Sequence, residues 1–157
     1  MKTLILIIVF LFSLTNIGNS KTILGKAKII DGDTIHIKSN KIRLHGIDAP
    51  ETKQTCKIDN EEWYCGKQST KELKKLISNQ EVKCITNDVD IYNRFVAICY
   101  INEININQWM VENGWAIAYR YYSTDYIVEE KHARDNKFGI WKSDFMKPYA
   151  YRRQNKN

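Results

Sequence analysis

The alternation of apolar and polar positions sorts the first half of the chain into short strands. Three runs come first, over residues 24–30, 34–37 and 41–47. In the second, Ile35 and Ile37 point one way and His36 the other, the period-2 sign of a half-buried strand. Asp-Gly-Asp at 31–33 and Ser-Asn-Lys at 39–41 separate the runs as turns. From about residue 66 to 78 the period changes, and Leu73, Leu76 and Ile77 share one face of a helix. Two further strands, 81–86 and 95–101, lead into a short helix over about 106–113. It ends at Gly114, a residue type that tolerates a left-handed C-terminal cap. A last helix spans about 124–136, with Gly139 beyond it. This order predicts an α+β protein, mainly β: a five-stranded OB-fold barrel with three helices, a fold whose face often binds oligonucleotides.

The N-terminus follows another pattern. After Lys2, residues 4–14 are almost all apolar, and 15–20 are polar. This is the order of a secretory signal peptide, with Gly18 and Ser20 as the small residues before a cut. The run is far shorter than the roughly 20 apolar residues of a spanning helix. Residues 1–20 are therefore set apart from the domain, 21–145, and the basic tail, 146–157. That tail, KPYAYRRQNKN from Lys147, is expected to be loosely held. The mature chain is expected to be exported, secreted or periplasmic, without a membrane attachment.

A chain of 157 residues supports one domain with a real core. Its net charge of +6 becomes +5 without Lys2. A basic balance favours a polyanionic partner, nucleic acid or an acidic surface, although many exported proteins are mildly basic. Four cysteines stand at 56, 65, 84 and 99, and an exported chain permits disulfides. Cys56 and Cys65 flank a polar segment, and closing that loop is the easiest pairing, contributing roughly 2–3 kcal/mol by the chain-entropy model. Cys84 and Cys99 lie in strand-like runs, either as buried thiols or as a cross-strand bridge. The spacing does not suit a zinc site.

Two stretches carry candidate chemistry: IIDGDTIHI, with Asp31 and Asp33, and RLHGIDAPET, with Arg43, Asp48 and Glu51. Each has a plain alternative: Asp-Gly-Asp is a good turn, Arg43 with one carboxylate is an ordinary ion pair, and Arg94 suits a hairpin tip. Together they say more. A strand meander brings Asp33, before the second strand, to Asp48, after the third. Two hard oxygen ligands from separate segments suit Ca²⁺ or Mg²⁺. An arginine beside them suits an anion that the cation also touches, the combination a phosphodiester needs.

IDGDT, RLHGIDAPE and the later YNR, in this order and spacing, closely resemble the staphylococcal nuclease-like (thermonuclease) family, over about residues 23–141. The resemblance implies a Ca²⁺-dependent endonuclease acting on DNA and RNA and leaving 3′-phosphate ends, a monomer without a stable protein partner. It implies Asp33, Asp48 and the backbone carbonyl of Ala49 as metal ligands, and Asp31 behind them orienting a metal-bound water. Glu51 would be general base or water-orienting group, and Arg43 and Arg94 the phosphate clamp. Tyr92, Tyr119 and Tyr121 would contact the nucleotide, with Tyr122 a rival and base stacking as the chemistry.

There are departures. Ile91 stands where the founding member has a lysine, and Ala49 where it has a threonine. Residues 55–64, with Cys56 and the adjoining Cys65, differ from the founding member beside the Glu51 loop. The alternative function is a catalytically silent nucleic-acid-binding module on the same barrel. Such modules lack one or more of the charged positions, and here the set is whole. His36, His45 and His132 are scattered and read as structural or surface residues.

Overall fold

A computed structural model describes residues 20–155, apart from the side chain of Asn87. Residues 1–19, most of the expected signal peptide, and the last two residues lie outside the described residues. No helix among the described residues is long and apolar enough to cross a membrane.

Five strands close into a barrel: β1 (Lys21–Ile29), β2 (Thr34–Ile37), β3 (Asn40–Leu44), β7 (Glu81–Val89) and β8 (Phe95–Ile101). They run in the order β3-β2-β1-β7-β8, antiparallel throughout, and a parallel pairing of β3 with β8 closes the ring. Period-2 alternation sets the register. Ile35 and Ile37 of β2, Ile42 and Leu44 of β3, and Cys84 of β7 all turn inward and are buried. A one-residue slip would put each of them in water. Cys84 faces Cys99 across β7 and β8, and the two form a disulfide.

The helix α1 (Cys65–Ile77) covers the core with Leu73 and Ile77, and α2 (Ile106–Glu112) with Ile106, Met110 and Val111. Asn107 of α2 is fully buried. Its amide donates to the carbonyls of His45 (2.9 Å) and Ala97 (3.1 Å), and its Oδ1 accepts from the Cys99 N–H (3.1 Å). One side chain thus satisfies three backbone groups at the β3–β8 seam.

The third predicted strand does not run on to residue 47. Gly46 takes φ +72°, which turns the chain after β3. Ile47–Asp48 then forms its own short strand, β4, paired with β10 (Ile117–Ala118). The segment after Glu51 folds into a hairpin, β5 (Cys56–Ile58) with β6 (Glu61–Trp63), stapled to α1 by a Cys56–Cys65 disulfide. The two-residue β9 (Ile104–Asn105) precedes α2.

Among the described residues four α-helices stand in place of the expected three. α3 (Ile127–Asp135) starts later than the apolar pattern suggests, because 124–126 form a turn. The fourth, α4 (Pro148–Gln154), lies in the basic tail, and the expectation of a loosely held tail is corrected here. Pro148 is buried at its first turn. Two backbone hydrogen bonds between Lys57 and Asp144, both 2.8 Å, tie the preceding segment to β5. Trp63, Trp141 and Phe145 pack on a small second core of Cys56, Cys65, Ile117 and Ile140. The hairpin, its disulfide and the tail therefore form one unit beside the barrel.

Candidate active site

The two acidic stretches meet where β2 begins and β3 ends. The register places Thr34 opposite Arg43, and the Leu44 N–H donates to the Asp33 carbonyl at 2.8 Å. Asp33 is buried. Its Oδ2 accepts from the Ala49 N–H at 2.8 Å, and its Oδ1 from the Thr34 hydroxyl at 3.1 Å and from the Arg43 guanidinium. Arg43 also donates to Asp48 Oδ1 at 3.0 Å and to the Ile47 carbonyl at 3.2 Å. One guanidinium thus bridges two carboxylates 15 residues apart in the chain. Burial opposes the charge on Arg43, but Asp33 and Asp48 outweigh it and raise its pKa.

Asp48 is fully buried, and its Oδ2 has no hydrogen-bond partner among the described residues. Burial raises its pKa, and the nearby Asp33 adds to the shift. Asp31 lies behind them and accepts from the Asp33 N–H at 2.9 Å. Burial, and then the charge of Asp33, push its carboxyl up to about 7. Close carboxylates that resist ionisation are a place where positive charge is favoured.

Glu51 follows on a loop fixed from two sides. Gln54, fully buried, donates its N–H to the Glu51 carbonyl at 2.7 Å, and its Oε1 accepts from the Glu51 N–H at 3.3 Å. Gly66 at the start of α1 lies directly against the loop: a Cβ there would stand 2.6 Å from the Glu51 carbonyl carbon. The Glu51 carboxylate is about one-third exposed, and Oε1 accepts from Arg152 of α4 at 3.0 Å. Arg152 also contacts Asp48 Oδ1 at 2.8 Å. Burial opposes its charge, but Asp48 and Glu51 outweigh that and raise its pKa.

Arg152 and Gln54 are missing from the sequence reading. Arg152 lies 101 residues from Glu51 in a stretch that reads as a solvated basic tail. Gln54 resembles any loop glutamine, yet its Nε2 donates to the Met146 carbonyl at 2.6 Å and so joins the Glu51 loop to that tail.

The remaining predicted residues gather less tightly. Arg94 is held in the β7–β8 turn by Asp90, at 2.8 Å through Nε and 2.7 Å through Nη2. It sits 5.5 Å from the Tyr92 ring centre, and among the described residues it makes no ion pair with Asp33, Asp48 or Glu51. Burial raises the pKa of Asp90, but its hydrogen bonds from Arg94 and the charge of Arg94 together outweigh that and lower it. Ile91 and Tyr92 at this tip are exposed. Tyr119, Tyr121 and Tyr122 form one cluster with ring centres 4.9–6.3 Å apart, so the rival Tyr122 belongs with the other two. Tyr149 of α4 stacks on Tyr119 at 6.3 Å and extends this surface.

The donor set fits a hard cation. Asp33 and Asp48 are brought together by one guanidinium, Ala49 lies between Asp48 and the Glu51 loop, and Asp48 keeps an unpartnered buried oxygen. Among the described residues no group of three or more His, Cys, Asp or Glu is arranged to hold a metal ion. A cation there would draw on two carboxylates, with carbonyl and water oxygens completing its shell.

A closed five-stranded barrel with buried carboxylates and guanidiniums at one end defines an OB-fold protein with a site suited to a cation and an anion. The family model for staphylococcal nuclease homologues matches residues 41–143. Among similar proteins, the succinoglycan biosynthesis protein ExoI of Rhizobium meliloti (strain 1021) is 34% identical over 134 residues, 80% of this chain and 68% of its own length. A protein of Haemophilus influenzae named uncharacterized endonuclease is 36% identical over 137 residues, 82% of this chain and 72% of its own. A micrococcal nuclease of Shigella flexneri is 33% identical over 148 residues, 83% of this chain and 80% of its own. The chain belongs to the staphylococcal nuclease family.

Proposed function

We propose that the chain is an exported, Ca²⁺-dependent endonuclease that hydrolyses phosphodiester bonds of DNA and RNA and leaves 3′-phosphate ends. The observation that supports this reading best is the meeting of Asp33, Arg43 and Asp48, with Glu51 joined to Asp48 through Arg152 and one buried Asp48 oxygen unpartnered among the described residues. Family membership and the nuclease names of relatives support the reaction class.

Asp33, Asp48 and the Ala49 carbonyl would hold the calcium ion. When bound it would supply Lewis-acid stabilisation of charge on the phosphate oxygens. Glu51, partly exposed on its fixed loop, orients a water toward phosphorus and takes its proton. The new P–O bond forms as the bond to the 5′-oxygen breaks. The leaving 5′-oxygen takes a proton from solvent water, so the products are a 5′-hydroxyl and a 3′-phosphate. Arg43 is preorganised by its two carboxylates and neutralises charge as it builds on the non-bridging oxygens. Arg94 completes the clamp from the β7–β8 turn, and the tyrosine cluster offers rings for base stacking, which tolerates any sequence.

The test is hydrolysis of single-stranded DNA by the mature chain with Ca²⁺, with EDTA, and with Mg²⁺ in place of Ca²⁺. Cleavage with Ca²⁺ alone, giving 3′-phosphate ends, is expected. No cleavage by folded, oxidised protein would leave a binding module instead.

A further inference from the structure

The carboxylates of the site carry one guanidinium more than the sequence motifs supply. Arg152 spans Asp48 Oδ1, at 2.8 Å, and Glu51 Oε1, at 3.0 Å. These residues are the proposed metal ligand and water-orienting group. Its side chain is about one-third exposed, while Asp48 beneath it is fully buried, so the guanidinium forms part of the accessible floor of the site. We propose that Arg152 is a further phosphate-binding residue of this active site: it neutralises Asp48 and Glu51 between turnovers and passes to the non-bridging oxygens of the phosphodiester when a divalent cation takes Asp48. The inference rests on the nuclease reading above.

Charge balance supports the transfer. Arg43 and Arg152 touch three carboxylates, Asp33, Asp48 and Glu51, which leaves one negative charge. A divalent cation turns the balance to one positive charge, which one phosphodiester cancels. Without Arg152 the same groups and the cation would sum to zero before substrate arrives and to a negative charge afterwards, with the Arg94–Asp90 pair adding nothing and any charge on Asp31 making the site more negative still. The planar fork that now spans two carboxylates suits two phosphate oxygens equally well.

Delivery is preorganised. Gln54 holds the Met146 carbonyl, Lys57 pairs with Asp144, and Tyr149 stacks on Tyr119. The backbone of α4 is therefore fixed before substrate binds, and only the end of one side chain has to move. Little ordering entropy opposes the contact. Tyr149 and Arg152 lie on the same helix three residues apart, so α4 presents an aromatic ring and a cation side by side, the pairing that single-stranded nucleic acid uses.

The experiment compares native protein with Arg152→Ala and Arg152→Lys in three measurements, with melting temperature as the folding control. Calorimetric titration of Ca²⁺ without nucleic acid should show several-fold tighter binding in Arg152→Ala, because a competing cation has left Asp48. Anisotropy with a phosphorothioate single-stranded DNA decamer in Ca²⁺ should show weaker binding, with a log–log salt slope shallower by roughly 0.7, one phosphate contact. kcat/KM on single-stranded DNA should fall by about 10- to 100-fold, the loss for a charged hydrogen-bonding group, with Arg152→Lys between. A helix anchor without a role at the phosphate would change melting temperature and Ca²⁺ binding but leave decamer binding and kcat/KM unchanged, and that result would overturn the proposal. Equal or faster cleavage by Arg152→Ala, with decamer binding unchanged, would make Arg152 a plug or a counter-ion and overturn the proposal. If native protein cleaves nothing yet decamer binding still weakens in Arg152→Ala, the nuclease reading falls and the phosphate contact stands.

Discussion

Gly66→Ala separates the geometry of the Glu51 loop from the stability of the fold. Gly66 lies in α1 with ordinary helical backbone, so alanine gains about 1 kcal/mol of helix propensity there. Its Cβ would stand 2.6 Å from the Glu51 carbonyl carbon and 3.2 Å from that of Thr52, and closer still to the Glu51 oxygen. Carbon atoms rest about 3.5–4.0 Å apart, and the Glu51 oxygen lies nearer than either carbon, so the loop must retreat by more than about 1 Å. Overpacking of this kind costs about 1–3 kcal/mol. The two effects nearly offset, and a net loss of about 0–2 kcal/mol is expected. A misplacement of about 1 Å at a reacting group lowers turnover by about 100-fold. The assay is kcat/KM on single-stranded DNA with Ca²⁺, alongside urea denaturation. A variant close to native stability with turnover about 100-fold lower supports the reasoning. Native turnover within threefold (roughly 0.7 kcal/mol of barrier) would refute it, because the position of Glu51 would then not limit the reaction.

Asn107→Ala strands the His45 carbonyl and the Cys99 N–H in the core, and should cost about 2–4 kcal/mol by chemical denaturation. Replacing Cys84 and Cys99 together by alanine opens a 15-residue loop and should cost about 3 kcal/mol, read as a lower denaturation midpoint under non-reducing conditions. Glu51→Ala should lower turnover by about 100-fold or more with calcium binding retained, measured by single-turnover hydrolysis beside calorimetry. The pH dependence of metal-free protein follows from Asp31. Its carboxyl is raised from 3.8 to about 7, so the folded state holds the proton more tightly than the unfolded one. Stability from this group is therefore full at low pH and lost as pH rises from about 4 through about 7. In EDTA, Asp31→Asn should gain on native protein over that window, and melting curves that stay parallel would count against it.

The barrel was legible because its evidence is local. Ile35 and Ile37 alternate with His36, turns rich in Asp, Gly and Asn bound the runs, and strand pairing then follows from length and order. The meeting of Asp33 with Asp48 was also legible, because a three-strand meander leaves few ways to place its ends. The β5–β6 hairpin was less so. Its segment is polar and short, and much of its stability comes from the Cys56–Cys65 bridge and the cover of Trp141 and Phe145, partners distant in the chain.

The residues of RLHGIDAPE and IDGDT by themselves determined the chemistry on offer: carboxylates suited to a cation and the Arg43 guanidinium suited to an anion, carried by adjoining strands. Only the tertiary structure decided that a second guanidinium, that of Arg152, reaches these carboxylates. Arg152 reaches Glu51 across 101 residues because Gln54, Lys57 and Tyr119 fix α4 against the barrel. Each of those contacts is individually ordinary, and none imposes a periodicity on its own segment. A pattern in the chain records which face of an element is buried, whereas a contact between distant elements depends on the whole packing and leaves no local trace.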